Sequence, residues 1–232
     1  AVSEATRADL IAMYGLCPEA ITVIPEAADP RFAPPTPEAV ATVRARYGLP
    51  PRYVLTVGTI EPRKNLSRLV DACGPLFEAG QADALVIVGG LGWLYEGFLR
   101  HVERSPWRER VIRPGFVPDE DLPAIYGGAL ITAQPSFYEG FGLPLLEAMA
   151  SGCAVCASQT SSLPEVGGDA ALYVDPECTE SITEALRAIA RDEALRTDLV
   201  RRGLARAAEY SWERTARETL ALYERVLASG RQ

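Results

Sequence analysis

The 232-residue sequence has one lysine, one histidine and two methionines, and its formal net charge is −8. The negative charge excludes a nucleic-acid-binding protein that relies on a broad basic face. No apolar run approaches the roughly 18 residues of a membrane-spanning helix. The first residues mix charged with apolar side chains, which is unlike a signal peptide. We therefore expect no transmembrane segment and no nucleic-acid partner, and the start without Met suggests a piece of a longer protein.

Cysteine is also too scarce for a disulfide framework, because the sequence has five, an odd number, and they are mostly scattered. This usage fits a reducing compartment, so we expect a cytoplasmic location, either free or at the membrane surface in the full-length protein. Cys153 and Cys156 have the spacing of a redox or zinc pair. No second pair accompanies them, and we interpret them as small buried thiols.

The single lysine, Lys64, stands against 22 arginines. A compact, rotatable ammonium group meets a need that a planar guanidinium does not, which makes this position a candidate for function. The alternative is a genome composition that favours arginine and has left one lysine by chance. Both explanations remain open at this point.

Short apolar runs alternate with amphipathic stretches along the chain. This alternation predicts an α/β fold, namely a doubly wound, Rossmann-like parallel sheet covered by helices on both faces. The predicted strands are Ile21–Ile24, Tyr53–Val57, Leu85–Val88, Val111–Arg113, Leu130–Ala133, Ala154–Ala157 and Leu172–Val174. The predicted helices are Glu38–Tyr47, Leu66–Glu78, Leu94–Arg104, Asp121–Tyr126, Pro144–Ala150 and Ser181–Ala190.

The two ends of the chain depart from this alternation. Ser3–Tyr14 is a lone helix with Ser3 as its N-cap, and the chain after Asp192 is nearly all helical. The last helix, Trp212–Leu227, carries Leu220, Tyr223 and Leu227 on one face. The sequence offers no evident partner for that face, so we expect it to be covered by a part of the protein outside this chain.

Ligands of doubly wound sheets bind at the carboxyl ends of the strands, so a functional site is expected in the turns that follow the strands. The first such turn, 58–65, follows the strand Tyr53–Val57. Gly58 permits a tight exit from the strand, and Asn65 is placed to cap the next helix. Arg63 and Lys64 then stand beside a helix N-terminus, which favours an anion such as a diphosphate. The alternative is a solvated basic turn.

The second turn contains two acids around a glycine-rich loop. Glu139 lies in the loop and Glu147 lies about one turn into the following helix, whose first turn contains Pro144. Gly140 and Gly142 allow the backbone to approach a ligand and to aim N–H groups at it. Carboxylates accept hydrogen bonds from the vicinal hydroxyls of sugars. This turn therefore predicts a site for a sugar-containing ligand, against the alternative of two ordinary surface acids.

The two acids, with seven residues between them, resemble the E-x7-E motif of family 4 (group 1) retaining glycosyltransferases of the GT-B fold. The surrounding Tyr138–Pro144 and Glu147–Gly152 agree with that family. Further segments that match its pattern are Val2–Glu4, Ser161–Val166, Gly168–Ala171 and Tyr210–Glu213. The resemblance covers essentially the whole chain and only the C-terminal, donor-binding half of the family's fold.

The resemblance implies a division of the chain into three parts. Residues 1–20 would be a linker from an N-terminal acceptor-binding domain, 21–210 the nucleotide-sugar-binding domain, and 211–232 a helix that crosses back to the first domain. The implied reaction is transfer of a hexosyl group, with retention, from a nucleoside diphosphate sugar to an acceptor hydroxyl. The acceptor would be a glycan, a lipid-linked molecule or a small molecule, as in polysaccharide biosynthesis.

The resemblance also implies roles for individual residues. Glu139 would hold the donor sugar, Glu147 the ribose diol and Lys64 the diphosphate, with Arg63 as a second cation. The catalytic set is thus Glu139, Lys64 and Arg63, and the implied donor-binding set is Gly58, Thr59, Phe116, Val117, Gly140, Phe141, Gly142, Leu143 and Glu147. Phe116–Val117 would meet the nucleobase through their backbone.

Two positions depart from the family pattern. Thr59 stands where the family often has arginine, which leaves Arg63 and Lys64 as the cations of the turn. Glu26-Ala27 replaces the usual Asn-Gly. The first departure puts the detailed phosphate contacts in doubt.

Three other patterns resemble sites and are interpreted otherwise. Asp119-Glu120-Asp121 has the D-x-D spacing of a metal site, but it heads a short helix, where acids cap free N–H groups. Gly89-Gly90-Leu91-Gly92 does not complete a dinucleotide-binding loop, because Tyr95 stands at the last glycine position. His101 has no evident nucleophile as a partner. We therefore expect no metal and no cofactor.

Two alternatives to a glycosyltransferase remain open. One is a non-catalytic module that binds nucleotide sugars, and the other is a GT-B-like epimerase or hydrolase of the nucleotide sugar. The chain alone is expected to bind donor weakly and to turn over little, because half of the cleft would be missing.

Overall fold

The structure, a computed structural model, describes residues 1–229 and contains a six-stranded, fully parallel sheet. The order of its strands is β3-β2-β1-β4-β5-β6. The strands are β1 (Tyr53–Val57), β2 (Ala84–Val88), β3 (Val111–Gly115), β4 (Ile131–Gln134), β5 (Val155–Ser158) and β6 (Ala171–Val174). The doubly wound, Rossmann-like fold expected from the sequence is confirmed.

Helices connect the strands and close both faces of the sheet. They are α1 (Glu4–Tyr14), α2 (Pro37–Tyr47), α3 (Leu66–Glu78), α4 (Glu96–Arg104), α5 (Leu122–Gly127), α6 (Leu143–Ala150), α7 (Leu163–Gly167), α8 (Thr179–Arg191), α9 (Glu193–Ala207) and α10 (Trp212–Ser229). Three short 3-10 turns, 18–20, 62–64 and 108–110, join them.

Alternation along the strands divides the core into two layers. In β1, Val54 packs into one apolar cluster, which includes Leu69 of α3, whereas Tyr53 and Leu55 pack into the other, which includes Leu145 of α6. All three β1 residues are fully buried. Successive strand residues point to opposite faces, so an apolar strand that supplies both layers must lie inside a covered parallel sheet.

The topological switch of the sheet lies between β1 and β4. The chain winds outward from β1 through β2 to the edge strand β3, and then returns to place β4 on the other side of β1. Val54 pairs with Ile131 and Leu55 with Thr132 across this junction. The turns that leave β1 and β4 therefore diverge and open a crevice at the carboxyl edge of the sheet.

One predicted strand is wrong. Ile21–Ile24 forms no strand, and its backbone instead bonds to the first residue: Ala1 N donates to Thr22 O at 2.8 Å and Ile24 N donates to Ala1 O at 2.8 Å. The segment lies outside the sheet and is only half-buried. These four residues, three of them apolar and one a threonine, thus had strand character without a neighbouring strand to pair with. The short helix α7 was not predicted.

The helices at the two ends occupy different environments. Ser3 caps α1 as predicted, since its side chain accepts a hydrogen bond from Thr6 N. On α10, Leu220, Tyr223 and Leu227 are 58%, 61% and 64% exposed, so this face is uncovered within residues 1–229. Within the same residues, no helix combines the length and the apolar character needed to cross a bilayer.

Candidate functional site

The turn after β1 brings a buried ammonium group to the crevice. Pro62–Lys64 forms a 3-10 turn directly before α3, and Lys64 is only 8% exposed. Gly58 leaves the strand at φ 141°, and a Cβ atom added there would lie 3.2 Å from Lys64 Cε and 3.3 Å from its Nζ. Glycine is therefore required here for both its conformation and the space that the lysine occupies.

The loop after β4 brings Glu139 to the same place. Lys64 Nζ lies 2.7 Å from Glu139 Oε1, and Arg63 Nη1 lies 2.5 Å from Oε2. Ser136 Oγ and Gln134 Nε2 also donate to Oε1, at 2.7 and 3.1 Å. The carboxylate is 5% exposed and receives four donors. The turns that contain the two sequence motifs thus meet across the β1–β4 junction.

Glu139 is held in its ionised form by this environment. Burial by itself would raise the pKa of this carboxyl. The charge and hydrogen bond of Lys64, followed by the hydrogen bonds of Ser136 and Arg63, outweigh burial and leave the pKa below its ordinary value. The group is therefore a hydrogen-bond acceptor only, and it has no proton to give at neutral pH.

A second carboxylate completes the ion cluster. Glu61 Oε1 lies 2.6 Å from Arg63 Nε, and Glu61 Oε2 accepts a 2.8 Å hydrogen bond from Trp93 Nε1. Two cations, Arg63 and Lys64, thus face two anions, Glu61 and Glu139. The cluster is balanced in charge, and its cations are fixed in position by partners within the protein.

The glycine loop presents backbone N–H groups without acceptors. Ser162 Oγ lies 2.8 Å from Glu139 O and 2.7 Å from Phe141 O, so its single hydroxyl proton is shared between the two carbonyls. Within the described chain, no acceptor takes the amides of Gly140, Phe141 or Gly142. Phe141 and Gly142 are buried from solvent, where an unpaired amide costs free energy. Such a row of free amides at the start of α6 suits an anion or a hydroxyl-rich ligand.

Helix α1 and its N-cap residue also contact the glycine loop. Ser3 Oγ lies 2.6 Å and Thr6 Oγ1 3.0 Å from Gly140 O, and Tyr138 Oη donates to Asp9 at 2.8 Å. The Glu165 carboxylate, from α7, accepts the first N–H groups of α1. The N-terminal segment is therefore fastened to the site.

Glu147 occupies a different environment, one turn into α6. Tyr126 Oη donates to Glu147 Oε2 at 2.8 Å, and Tyr126 itself is fully buried. Burial raises the pKa of Glu147, the tyrosine hydrogen bond opposes the shift, and the charges of Asp119 and Asp29 add to it. This carboxyl thus lies on the α5 side of the crevice, apart from the cluster around Glu139.

The remaining predicted donor-binding residues differ in how far they are exposed. Thr59 is exposed and Leu143, the first residue of α6, is half-buried. Phe116 follows β3 with 80% of its surface exposed, whereas Val117 is buried. The Phe141 ring is also buried and packs edge-on against Tyr210, with ring centroids 5.8 Å apart. Only the backbone of Phe141 is therefore available to a ligand.

Two expectations about helix caps are wrong. Asn65 adopts a left-handed conformation, and its Nδ2 donates to Pro135 O and Pro176 O instead of its side chain capping α3. Asp121 precedes α5 but does not cap it, because its carboxylate binds Arg46 and the Tyr47 hydroxyl. In both cases a tertiary partner outcompetes the local N–H groups.

Several residues of the site were missed from the sequence. Gln134, Ser136 and Ser162 bond to Glu139 or its backbone, and Ser161 Oγ accepts from Glu139 N at 2.9 Å. Ser161 holds a φ of 54°, which is strained for a residue with a side chain. The motif Ser161–Val166 was noticed as a family match. Nothing in its local pattern indicated that its hydroxyls support a loop more than 20 residues earlier.

The two closely spaced cysteines have a structural role. Cys153 and Cys156 are free, buried thiols, as interpreted from the sequence. Burial raises the pKa of Cys153 to about 11 and that of Cys156 to about 12. Both are therefore un-ionised at neutral pH and poor nucleophiles or metal ligands.

The sequence matches one family model and several known proteins. Residues 42–206 match the family model described as glycosyl transferases group 1. The chain is 38% identical over 226 residues to O-antigen chain mannosyltransferase B of Escherichia coli, covering 96% of this chain and 59% of the relative. It is 33% identical to D-inositol 3-phosphate glycosyltransferase of Segniliparus rotundus, covering 94% and 49%. The chain thus spans about half to three fifths of these relatives.

Solved structures share the fold. Sucrose-phosphate synthase from Thermosynechococcus elongatus superposes with a TM-score of 0.81 at 27% identity, covering 98% of this chain and 58% of that chain. Anabaena Alr3699/HepE, solved in complex with UDP-glucose, superposes with a TM-score of 0.85 at 20% identity, covering 97% and 63%.

Proposed function

We propose, since this chain belongs to the group 1 glycosyltransferases, that its crevice binds a nucleoside diphosphate sugar for transfer of the sugar to an acceptor hydroxyl. The chain corresponds to the C-terminal domain of a GT-B glycosyltransferase. The observation that carries the proposal is the convergence of Lys64 and Arg63 on Glu139 at the topological switch, directly before the amides of Gly140–Gly142, which have no acceptor among the described residues.

The donor would lie along the carboxyl edge of the sheet. The turn at Phe116 and Val117, after the edge strand β3, would meet the nucleobase, and Glu147 would accept the ribose hydroxyls. The diphosphate would then reach Lys64 and Arg63 in the β1 turn. A related mannosyltransferase and a structural neighbour that holds UDP-glucose support a nucleotide sugar as the ligand class.

The sugar would be held by Glu139 and the glycine loop. Glu139 Oε1 already receives three donors, whereas Oε2 receives only Arg63 among the described residues. Oε2 therefore has capacity for a sugar hydroxyl. Because the pKa of this carboxyl is lowered, it acts as an acceptor that orients the sugar.

The chemical task is to stabilise the diphosphate as the glycosidic bond breaks. Glu61 and Glu139 balance the charges of Arg63 and Lys64, so the cations are oriented before the donor arrives. The N–H groups of the loop add hydrogen-bond donors that no acceptor among the described residues already satisfies. Groups fixed in this way stabilise developing negative charge without having to reorganise.

We further propose that the configuration is retained without a covalent enzyme intermediate. Glu139 is engaged by four donors, which makes it a weak nucleophile. The leaving phosphate oxygen would instead take the proton of the acceptor hydroxyl as the new bond forms. Detection of a glycosyl-Glu139 adduct by mass spectrometry of the trapped protein would contradict this mechanism.

We also propose that the acceptor binds to a part of the protein outside this chain. Because the chain spans 59% of O-antigen chain mannosyltransferase B, we propose that a further domain binds a glycan, lipid-linked or small-molecule acceptor. The exposed face of α10 around Leu220 and Tyr223 would pack against that domain. We propose a cytoplasmic location, no resident cofactor and no metal.

A thermal-shift panel of UDP, GDP, ADP and TDP on the chain tests the site. A ligand that binds only the folded state raises the melting temperature by mass action, and we expect one nucleotide to do so selectively. Lys64→Met should abolish the shift, because it removes the buried ammonium while keeping side-chain length. Arg108→Met is the matched control, since the side chain of this exposed arginine pairs, among residues 1–229, only with its neighbour Glu109.

Equal shifts in both variants would refute the assignment of Lys64. Transfer assays on the longer protein separate a catalyst from a binding module. Release of nucleoside diphosphate with no acceptor present would favour a hydrolase or an epimerase instead.

A further inference from the structure

We propose that the hydroxyl groups of Ser3 and Thr6, on α1, are positioning residues that aim the loop amide of Phe141 at the donor. This inference rests on the proposed function and concerns two residues, at the N-cap and in the first turn of α1, to which the family resemblance assigns no role. It starts from the contact between α1 and a single carbonyl, Gly140 O.

The geometry of the peptide bond links that carbonyl to an amide. In a trans peptide the C=O of one residue and the N–H of the next point in opposite directions, and the described chain contains no cis peptide. A hydroxyl group of α1 that donates a hydrogen bond to Gly140 O therefore turns the N–H of Phe141 away from α1. The glycine at 140 would otherwise leave this peptide free to rotate.

Two donors fix this carbonyl from one helix. Ser3 Oγ lies 2.6 Å and Thr6 Oγ1 3.0 Å from Gly140 O, and Ser3 is fully buried. The arrangement is not needed to form α1, because the N-cap function of Ser3 uses its oxygen as an acceptor from Thr6 N. Its one hydroxyl proton has two acceptors within reach, Gly140 O at 2.6 Å and Thr6 Oγ1 at 3.0 Å, and the shorter contact is the one to Gly140 O.

The neighbouring peptides follow the same rule. Ser162 Oγ lies within hydrogen-bond distance of Glu139 O and Phe141 O, which orients the N–H groups of Gly140 and Gly142. All three amides lack acceptors in residues 1–229, although the carbonyl of each preceding residue is bound. A loop that binds its carbonyls and leaves its amides unpaired is set up to donate to a ligand.

Helix α1 is itself fastened so that it can serve this role. Glu165 Oε1 accepts from Glu4 N at 2.9 Å and Glu165 Oε2 from Ala5 N at 3.2 Å, while Asp9 accepts from the Tyr138 hydroxyl. A shift of α1 would therefore move the Gly140 peptide. The position of this N-terminal helix thus controls whether the Phe141 amide faces the sugar nucleotide.

The decisive experiment compares a ligand that reaches the loop with one that does not. Wild type, Thr6→Val and the double variant Ser3→Ala/Thr6→Val are titrated by NMR with GMP and GDP-mannose, and with UMP and UDP-glucose. We expect both variants to lose about tenfold in affinity for the sugar nucleotide and to keep their affinity for the monophosphate. A purely structural effect would weaken both ligands equally.

Conservative and matched variants accompany them. Thr6→Ser and Ser3→Thr retain the hydroxyls and should bind like wild type. Thr42→Val removes a threonine hydroxyl that bonds only to Glu38 O within α2, and it should change neither affinity. Should Ser3→Ala unfold the chain by removing the N-cap, Thr6→Val still carries the test.

A readout without ligand makes the proposal independent of donor identity. The amide nitrogen resonance of Phe141 should move in Thr6→Val and stay in place in Thr42→Val, because a hydrogen bond to Gly140 O polarises that peptide. An unchanged Phe141 resonance, or an unchanged ratio of the two affinities, would overturn the role of α1. Failure of wild type to bind any of these ligands or any nucleotide of the thermal-shift panel would instead reject the proposed function.

Discussion

The ammonium group of Lys64 lies 2.7 Å from Oε1 of Glu139, although 75 residues separate them in the chain. The contact joins the turn after β1 to the loop after β4, and these strands are neighbours only because the chain reverses its winding there. It places the one lysine of the protein in a buried ion pair at the crevice.

Gly58→Ala should displace the lysine. The added Cβ would meet Lys64 Cε and Nζ at 3.2 and 3.3 Å, and φ of 141° is unfavourable for alanine. We expect a loss of about 1–3 kcal/mol in the free energy of unfolding and at least a tenfold loss in nucleotide affinity. Urea denaturation and calorimetric titration measure the two effects.

Gly48→Ala provides the comparison for that substitution. Gly48 also has a positive φ, 65°, but an added Cβ would have no neighbour within 4 Å. It should lower stability and leave nucleotide affinity unchanged. If both variants bind nucleotide like wild type, the space at Gly58 does not matter for the site.

The stability of the chain should depend on the ionisation of Glu139 at acid pH. Its folded-state pKa is lowered, so the folded chain binds a proton there less readily than the unfolded chain. The stabilisation is complete above the unfolded value near 4.5 and is lost as the pH falls through the folded value.

Glu139→Gln should remove that part of the pH dependence. Urea midpoints measured between about pH 3 and pH 6 should rise less with pH in the variant than in wild type. The variant should also be less stable near neutral pH by about 3 kcal/mol, because it leaves the Lys64 ammonium buried without its partner. Parallel curves for the two proteins would mean that Glu139 is not held as an anion by the fold.

Tyr126→Phe should make nucleotide binding depend more strongly on pH. Burial raises the pKa of Glu147 and the hydroxyl of Tyr126 counteracts it, so removing the hydroxyl raises that pKa further. A protonated Glu147 accepts ribose hydroxyls less well. Affinity for the nucleotide should therefore fall about three- to tenfold near pH 6 and recover as the pH rises.

Tyr173→Phe is the control for that variant, since Tyr173 donates to Gly168 O at 2.8 Å, away from Glu147. A 2′-deoxynucleotide should bind wild type weakly and respond little to Tyr126→Phe. If the ribo- and deoxynucleotides lose affinity equally in Tyr126→Phe, Glu147 does not recognise the ribose diol.

The thiols should react in two classes. Cys17 is exposed and Cys178 is half-buried, whereas Cys73, Cys153 and Cys156 are buried. Burial raises the pKa of all three buried thiols. A disulfide reagent should label Cys17 rapidly and Cys178 more slowly, and it should reach the others only after denaturation. Rapid labelling of Cys153 or Cys156 in the native chain would contradict this burial.

The sequence by itself determined the fold class and the two turns that form the site. Fully apolar strands such as β2 indicate a parallel sheet covered on both faces. Consecutive residues of a strand point to opposite faces, and here both sets of residues are apolar. The spacing of Glu139 and Glu147 likewise fixes one acid before α6 and one a turn inside it. These features are local, and local periodicity is what a sequence expresses directly.

The tertiary structure alone decided which polar groups bind one another. Asn65 and Asp121 were expected to cap helices, yet each bonds to a distant partner that offers more favourable geometry. Ile21–Ile24 had the composition of a strand and found no neighbour in the sheet. The hydroxyls of Ser3, Thr6 and Ser162 support the glycine loop across long separations, and such contacts exist only once the chain has closed on itself. A hydrogen bond depends on position and angle in space, and sequence distance does not encode either.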